Sequence, residues 1–335
     1  MPESKKFLVS SSPHIAAPGS VRQIMLEVSL ALFPALLCGT LFFGAYALFV
    51  VGLAVGSCYL FERLFNLIRK KPDTTGDFSF LVTGLLLGLN LPPWVPFYVP
   101  IAGGAFAMLI VKMLFGGLGK NFANPAATAR IFLLLCWSSA MTTFVQPFSG
   151  GFFGGFSTML TGPDPGLDGV VGPTPLGGGE ADLLSLFLGN VGGCIGETSA
   201  LALLIGGIYL IVRRIIDWKI PLLVLASAAV SVLIFEQDFS AVLPALLSGG
   251  LMIGAFFMAT DYATSPNTAW GTVVYAVFIG FMTVFFRTFS NYPEGMSFAI
   301  LLGNILVPLL DKFLIPRPFG AKGPDRPKAA GEVRK

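Results

Sequence analysis

Apolar positions in this chain come in long blocks separated by short polar stretches. Blocks of helical length lie near 24–42, 43–66, 79–91, 99–116 and 123–143, then near 197–213, 219–235, 241–259, 271–287 and 295–314. A bilayer's hydrocarbon core takes about 20 apolar residues as helix. In lipid every backbone N–H and C=O must find its partner inside the segment, which a helix achieves alone. Ten such blocks predict an all-α integral membrane protein with ten transmembrane helices. Several blocks are short. The run from Ser79 to Leu91 has 13 residues before Pro92 and Pro93 stop it. Short, proline-stopped segments predict half-helices, which line sites inside membrane proteins.

Composition agrees. The 335 residues are 54% hydrophobic and only 12% charged, with a mean hydropathy of +0.79. Soluble domains carry about 25% charged residues, so most of this surface must face lipid. A net charge of +3, with basic residues in short clusters, excludes a nucleic-acid-binding stripe. Cys38, Cys58, Cys136 and Cys194 have no paired spacing, which points to small apolar residues and not to a zinc or iron–sulfur cradle. The first 23 residues are polar and contain proline, with no apolar core of a cleavable signal peptide. The basic residues also orient the chain. With a cytoplasmic N-terminus, Arg69, Lys70, Lys71, Lys120, Arg213, Arg214, Lys219 and the tail from Lys312 fall inside. Residues 144–196 carry no Lys or Arg and fall outside, with Arg287 alone near an external end. This is the positive-inside pattern, with both termini cytoplasmic.

The chain also repeats itself. Glu27-Val28-Ser29-Leu30-Ala31-Leu32 resembles Glu197-Thr198-Ser199-Ala200-Leu201-Ala202, 170 residues on. The break at Leu91-Pro92 recurs at Ser265-Pro266, offset 174, and the Ala126 region recurs at Ala299, offset 173. Each copy holds five blocks, an odd number, so the second copy is expected inverted in the membrane, with a site between the broken helices. The expected organisation is a cytoplasmic arm (1–23), a first five-helix copy (24–143), an external loop (144–196), a second copy (197–314) and a basic tail (315–335).

Candidate chemistry is sparse. The loop is rich in Gly, Pro, Ser and Thr, with acids at Asp164, Asp168, Glu180 and Asp182. Within it, Gly172-Pro173-Thr174-Pro175 reads as a turn exposing a threonine hydroxyl between conformationally restricted residues. By composition alone this is commonest as plain loop. Glu27, Asp77, Glu197 and Asp261 lie at or inside helix ends, where an ionisable group is costly. Asn90, Asn121 and Asn124 sit beside the broken helices. Asp77 and Asn124 fit helix caps, and Glu197 fits the positive end of a helix dipole. Asp261, before Ser265-Pro266, has no such simple role. His14, the single histidine, suits a surface contact better than a base.

Several longer stretches carry a family resemblance that covers essentially the whole chain. They are Asp77 through Pro93, Phe115-Gly116-Gly117-Leu118-Gly119-Lys120-Asn121, Asn124-Pro125-Ala126, Ile195-Gly196-Glu197-Thr198-Ser199-Ala200, Ala259-Thr260-Asp261 and Tyr292-Pro293-Glu294-Gly295. With these the sequence resembles the RnfD family of Rnf electron-transport complexes, related to the NqrB component of the sodium-pumping NADH:quinone reductase. The resemblance implies FMN bound covalently, through its phosphate, to a threonine in a Ser-Gly-Ala-Thr motif. The matching positions are Val171, Gly172, Pro173 and Thr174. Val171 stands for the serine and Pro173 for the alanine, while Thr174, the preceding Asp168 and the following Pro175-Leu176 keep the pattern. It further implies a loop facing away from the cytoplasm, a bacterial cytoplasmic (inner) membrane and other Rnf subunits as partners. The activity implied is electron transfer between ferredoxin and NAD, coupled to Na+ or H+ movement. A second, non-covalent flavin such as riboflavin is expected by the same analogy. Asp261, Glu197, Glu27, Asn121 and Asn124 are the candidates for that flavin or for the ion path. The residues alone would equally suit a secondary transporter or channel with no redox centre, or a passive membrane scaffold.

Overall fold

The computed structural model describes residues 20–149, 151–163, 170–177, 182–290 and 294–315. The N-terminal arm with His14, the loop acids Asp164, Asp168 and Glu180, and the tail beyond Ile315 lie outside these. Among the described residues the chain is helical, with one isolated bridge between Val145 and Val171. Helix α1 (Val21–Phe43) and α2 (Ala45–Ile68) part at Gly44, whose φ of +83° and close approach to the Phe152 backbone leave no place for a side chain. There follow α3 (Ser79–Leu89), α4 (Tyr98–Met113), α5 (Pro125–Cys136), α6 (Ala200–Val212) and α7 (Lys219–Glu236). The last three are α8 (Leu251–Ile253, continuing through Gly254–Met258), α9 (Ala269–Phe289) and α10 (Met296–Phe313). The protein is an all-α membrane protein. Of these ten helices, α1, α2, α7, α9 and α10 are long and apolar enough to cross a bilayer, and the other five are shorter.

Two expected spans are interrupted. The block 123–143 ends as a helix at Cys136, because Trp137 leaves helical geometry (φ −130°, ψ 54°), and only a short turn, Ser138–Thr142, follows. The block 241–259 is split: Val242–Leu247 stops where Ser248 is extended and Gly249 takes φ +63°, and α8 starts afresh beyond them. The expected Asn124 cap forms, while at α3 the N-cap is Phe78 with no side-chain cap bond, so Asp77 only accepts from Ser79, the first helical residue. Asp77 accepts from the Ser79 N–H (2.8 Å) and hydroxyl (2.6 Å), and Asn124 accepts from the N–H groups of Ala126 (3.0 Å) and Ala127 (3.2 Å).

Several pairs recur in each set of five. Helix α2 lies on α3 and α4 as α7 lies on α8 and α9; α4 meets α5 as α9 meets α10; α3 meets α1 and α5 as α8 meets α6 and α10. Between the sets, α1 meets α6 and α5 meets α10. Glu27 near the start of α1 pairs with Arg213 just past the end of α6 (2.6 Å), while Gly39 near the other end of α1 abuts Ile195, which leads into α6. Helices α1 and α6 therefore run antiparallel. Midway, a side chain at Gly206 would strike the Ala31 carbonyl, so backbone contact is close there. At α5 and α10, Arg130 reaches Ser297 at the start of α10 (3.5 Å). With the Asn304 amide oriented by its neighbours, its oxygen accepts from the N–H of Asn124 (2.9 Å), the cap at the start of α5, while Asn304 lies further along α10 than Ser297. This pair is antiparallel as well.

Candidate functional site

Half-helices leave carbonyls without partners, and here the two sets supply each other's. The Leu89 and Leu91 carbonyls at the end of α3 accept from the N–H groups of Gly196 (2.7 Å) and Ile195 (3.0 Å). The Met258 carbonyl at the end of α8 accepts from the Asn124 amide (3.1 Å). Asn90, just past α3, also touches the Met258 sulfur (3.7 Å). The broken ends thus converge around α5.

Arg130 projects from the middle of α5 into this junction. Its guanidinium donates to Glu197 (2.7 Å), Asn90 Oδ1 (3.1 Å) and Cys194 Sγ (3.3 Å), and it also pairs with Glu294. The side chains of Arg130 and Glu197 are 5% and 1% exposed, and Glu294 is 16% exposed. A buried ion costs several kcal/mol unless paired and hydrogen-bonded; the fork of Arg130 meets two carboxylates at once. Glu197 is thus not held by a helix dipole, as its position suggested. Ser199 caps α6, accepting from the Ala202 N–H (3.3 Å), and Glu197 turns inward to Arg130.

Above this cluster lies the turn that carries Thr174. Residues 170–173 are fastened to the strand-like segment after α5: the Gln146 N–H donates to the Val170 carbonyl (2.8 Å), the Gly172 N–H to Phe144 (3.2 Å), and the Gln146 side chain to Pro173 (3.3 Å). These bonds use backbone at 170, 172 and 173, so the changed side chains at Val171 and Pro173 do not disturb them. Thr174 is buried, contrary to the exposed hydroxyl expected. It forms the wall of a cavity of about 550 Å³, together with Gly172, Pro173, Arg130, Glu294, Phe144 and Phe298. Small-molecule sites span roughly 300–1,000 Å³. Asp168 lies outside the described residues.

A second, smaller cavity of about 80 Å³ opens at the other end of α5. Asn121, Asn124, Asp261, Lys112 and Ser79 line it, with Phe256 and Phe257. Asp261 accepts from Thr264 (3.1 Å) and from the Ala263 N–H (3.4 Å) in the turn after α8. Of the five residues expected on an ion path, Asn121, Asn124 and Asp261 come together. Glu27, on the flank of α1, is held by Arg213, and Glu197 belongs to the Arg130 cluster.

Sequence reading missed both buried cations. Lys112 donates to both oxygens of Glu62 (3.1 and 3.0 Å) and to Ser79 (2.6 Å), with Glu62 fully buried. Arg130 and Lys112 are lone basic residues inside apolar blocks, which an orientation argument leaves unassigned. That isolation is the signal that marks them.

Fold and site together define a multi-pass membrane protein with a polar, cavity-lined junction between broken helices. The model of the NQR2, RnfD, RnfE family matches residues 8–320. The chain is 44% identical to the D component of the Na+-translocating ferredoxin:NAD+ oxidoreductase complex of Acetobacterium woodii, over 93% of this chain and 95% of that protein. It is 37% identical to the D component of the proton-translocating ferredoxin:NAD+ oxidoreductase complex of Clostridium ljungdahlii, over 94% and 97%. It is also 37% identical to the D component of the ion-translocating oxidoreductase complex of Stutzerimonas stutzeri, over 93% and 96%. The chain belongs to the NQR2, RnfD, RnfE family.

Proposed function

We propose that the chain is the flavin-carrying membrane subunit of an Rnf-type complex that couples electron transfer between ferredoxin and NAD to Na+ or H+ translocation. The single observation that carries the flavin is the place of Thr174: a threonine in the wall of a cavity large enough for a cofactor, on a turn fastened by three hydrogen bonds. Bound there as the phosphoester of Thr174, FMN would bring one- and two-electron redox chemistry. The protein's part is position and surroundings. Phe144, Ile131, Leu134, Met141 and Phe298 offer an apolar flank for a planar ring, and Arg130 offers a positive charge at the wall beside it. Two inverted five-helix copies, both termini cytoplasmic and the 144–196 loop external, complete the proposed arrangement in a bacterial cytoplasmic membrane. The basic clusters support that orientation. Other subunits of the complex would exchange electrons with the chain. A second flavin between the broken helices would need the 80 Å³ cavity to widen, with Phe256 and Phe257 turned aside.

Co-expression with a flavin transferase, followed by a denaturing gel and mass spectrometry of the loop peptide, tests this. Fluorescence surviving denaturation, with FMN on Thr174, is the expected result. Thr174→Ala should abolish it and leave the protein in the membrane, and Thr174→Ser should retain some adduct. The rival hydroxyls of Thr158 and Thr161 donate to the carbonyls of Gly155 (3.1 Å) and Gly162 (3.2 Å), on a segment packed on Trp94 and Pro96 outside this cavity. FMN found on either, or no adduct, overturns the assignment; the latter favours a transporter or scaffold without a redox centre.

A further inference from the structure

The segment that follows Gln146 lies flat on the end of the α1–α2 hairpin. The Phe148 N–H donates to the Phe42 carbonyl (2.9 Å), the Ala45 N–H to the Phe152 carbonyl (2.8 Å), and the Phe97 N–H to the Met159 carbonyl (3.1 Å). A side chain at Gly155 would strike Tyr46 and Trp94, so this backbone is pressed against the helices and its large side chains stand away from them. Phe148, Phe152, Phe153 and Leu160 are 67, 56, 69 and 70% exposed, and Phe156 is 41% exposed. Phe152 and Phe153 meet edge to face at 5.1 Å, and Phe153 stands 6.4 Å from Phe156. At about 200 Å² for a whole aromatic side chain, the four rings offer on the order of 450 Å² of apolar surface, a patch that marks an interaction site.

Charge and depth name the partner. Residues 131–163 hold no Asp, Glu, Lys, Arg or His, so the patch has no charge with which to select a protein or an anionic headgroup. Helix α1 has 23 residues, about 34 Å of helix against about 30 Å of hydrocarbon. Its end at Phe43 therefore lies where acyl chains give way to headgroups, and the segment is hydrogen-bonded to that end. The outward stripe of α1, formed by Leu30, Phe33, Leu37 and Leu41, runs into the patch: Leu41 shares a groove of about 140 Å³ with Phe148 and Phe152. On a membrane-crossing helix such a stripe faces acyl chains, and the rings continue that surface around the helix end. We propose that residues 148–160 form an aromatic shelf seated in the interfacial layer of the bilayer, with lipid and not another protein as its partner. Phe144 and Gln146, just before the shelf, hold residues 170–173, so the shelf fixes the Thr174 turn at the bilayer surface. The assignment stands on the segment itself and holds whether or not Thr174 carries flavin.

The test puts a photoreactive phenylalanine analogue, p-benzoylphenylalanine, in place of Phe153 in the full chain, co-expressed with the other subunits of the complex. Irradiation should give adducts of phospholipid mass and no band shifted by the weight of a polypeptide. The depth is read on Phe153→Trp, purified and reconstituted in phosphatidylcholine vesicles, as the fluorescence difference from the parent chain. The added tryptophan should lose most of its emission to lipid brominated near the headgroup, less to lipid brominated near the chain ends, and little to acrylamide in the water. Adding anionic lipid should change none of this. An exposed ring bears substitution without unfolding, and Leu160→Trp repeats the reading at a second exposed position. Crosslinking to a polypeptide overturns the proposal and makes the face a subunit contact. Quenching by acrylamide without quenching by brominated lipid overturns it too, since the shelf then stands in water, and so does greatest quenching from the chain ends.

Discussion

Replacing Arg130 with methionine keeps length and apolar bulk and removes the charge. The substitution strips Glu197 of its 2.7 Å partner, Glu294 of its ion pair, and Asn90 Oδ1 and Cys194 of their donors. Breaking a buried pair from one side costs about 3–5 kcal/mol, because an uncompensated charge stays behind. Two carboxylates are stranded here, with side chains 1% and 16% exposed. The upper part of that range is expected, a fall of about three powers of ten in the folding equilibrium at 1.4 kcal/mol per decade. Reversible unfolding in mixed micelles, titrated with a denaturing detergent and followed by the four tryptophans, measures it. Lys219→Met is the control: its pair with Asp217, at 3.7 Å, is half exposed on both sides and should barely matter. The triple variant Arg130→Met, Glu197→Gln, Glu294→Gln should recover most of the loss, since neutral groups need no counter-charge. A loss below about 1 kcal/mol for Arg130→Met, the scale of a surface pair, would refute a buried ionic junction. So would a triple variant no more stable than the single one.

Asp261→Asn should impair ion coupling in the assembled complex, measured as ion uptake per electron pair in vesicles, more than Asp77→Asn. Asp261 lines the cavity between broken ends, whereas Asp77 bonds only the Ser79 N–H and hydroxyl of its own turn; equal mild effects would return Asp261 to a structural role. Cysteines placed beside Asp182 should react with an impermeant reagent from outside, and cysteines beside Lys71 and Arg214 only from inside; the reverse pattern would overturn the orientation.

Much of the architecture was legible because lipid enforces simple rules. Long apolar blocks in lipid are carried mostly by helices, and Pro92 helps stop α3 because it can neither donate to the ladder nor let the residue before it stay helical. The helices that the offset near 170 sets in correspondence, α1 with α6 and α5 with α10, are in contact in the structure. What escaped is what depends on three-dimensional contact. Nothing local to Arg130 announces that Glu197 and Glu294, 67 and 164 residues away in sequence, will close on it. The split at Ser248-Gly249 hides inside an apolar block because Gly249 adds no polarity, only a backbone angle. The burial of Thr174 could not be read from its turn, since it comes from pairing with residues 144–146.

The proposed repeat also gives a comparison within one molecule. Glu27 and Glu197 occupy matching positions, 170 residues apart, and each pairs with an arginine from the other helix set: Glu27 with Arg213, Glu197 with Arg130. Type of pair and distance are alike, at 2.6 and 2.7 Å. Surroundings are not. Arg213 is half exposed and its guanidinium can turn to water, while Arg130 and Glu197 are sealed among Asn90, Cys194 and Ser297. In an exposed pair the lost attraction is replaced by hydration; in a buried one nothing replaces it, and the surviving partner keeps its desolvation cost. Glu27→Gln should therefore leave the unfolding midpoint within experimental scatter, whereas Glu197→Gln should lower it clearly, Glu294 sharing the guanidinium and limiting the fall to less than that of Arg130→Met. Equal effects at the two sites would mean that pairing, not burial, sets the energy. A larger effect at Glu27 would mean that the two helix sets are held together chiefly at the α1–α6 flank, and that the junction around Arg130 contributes little to stability.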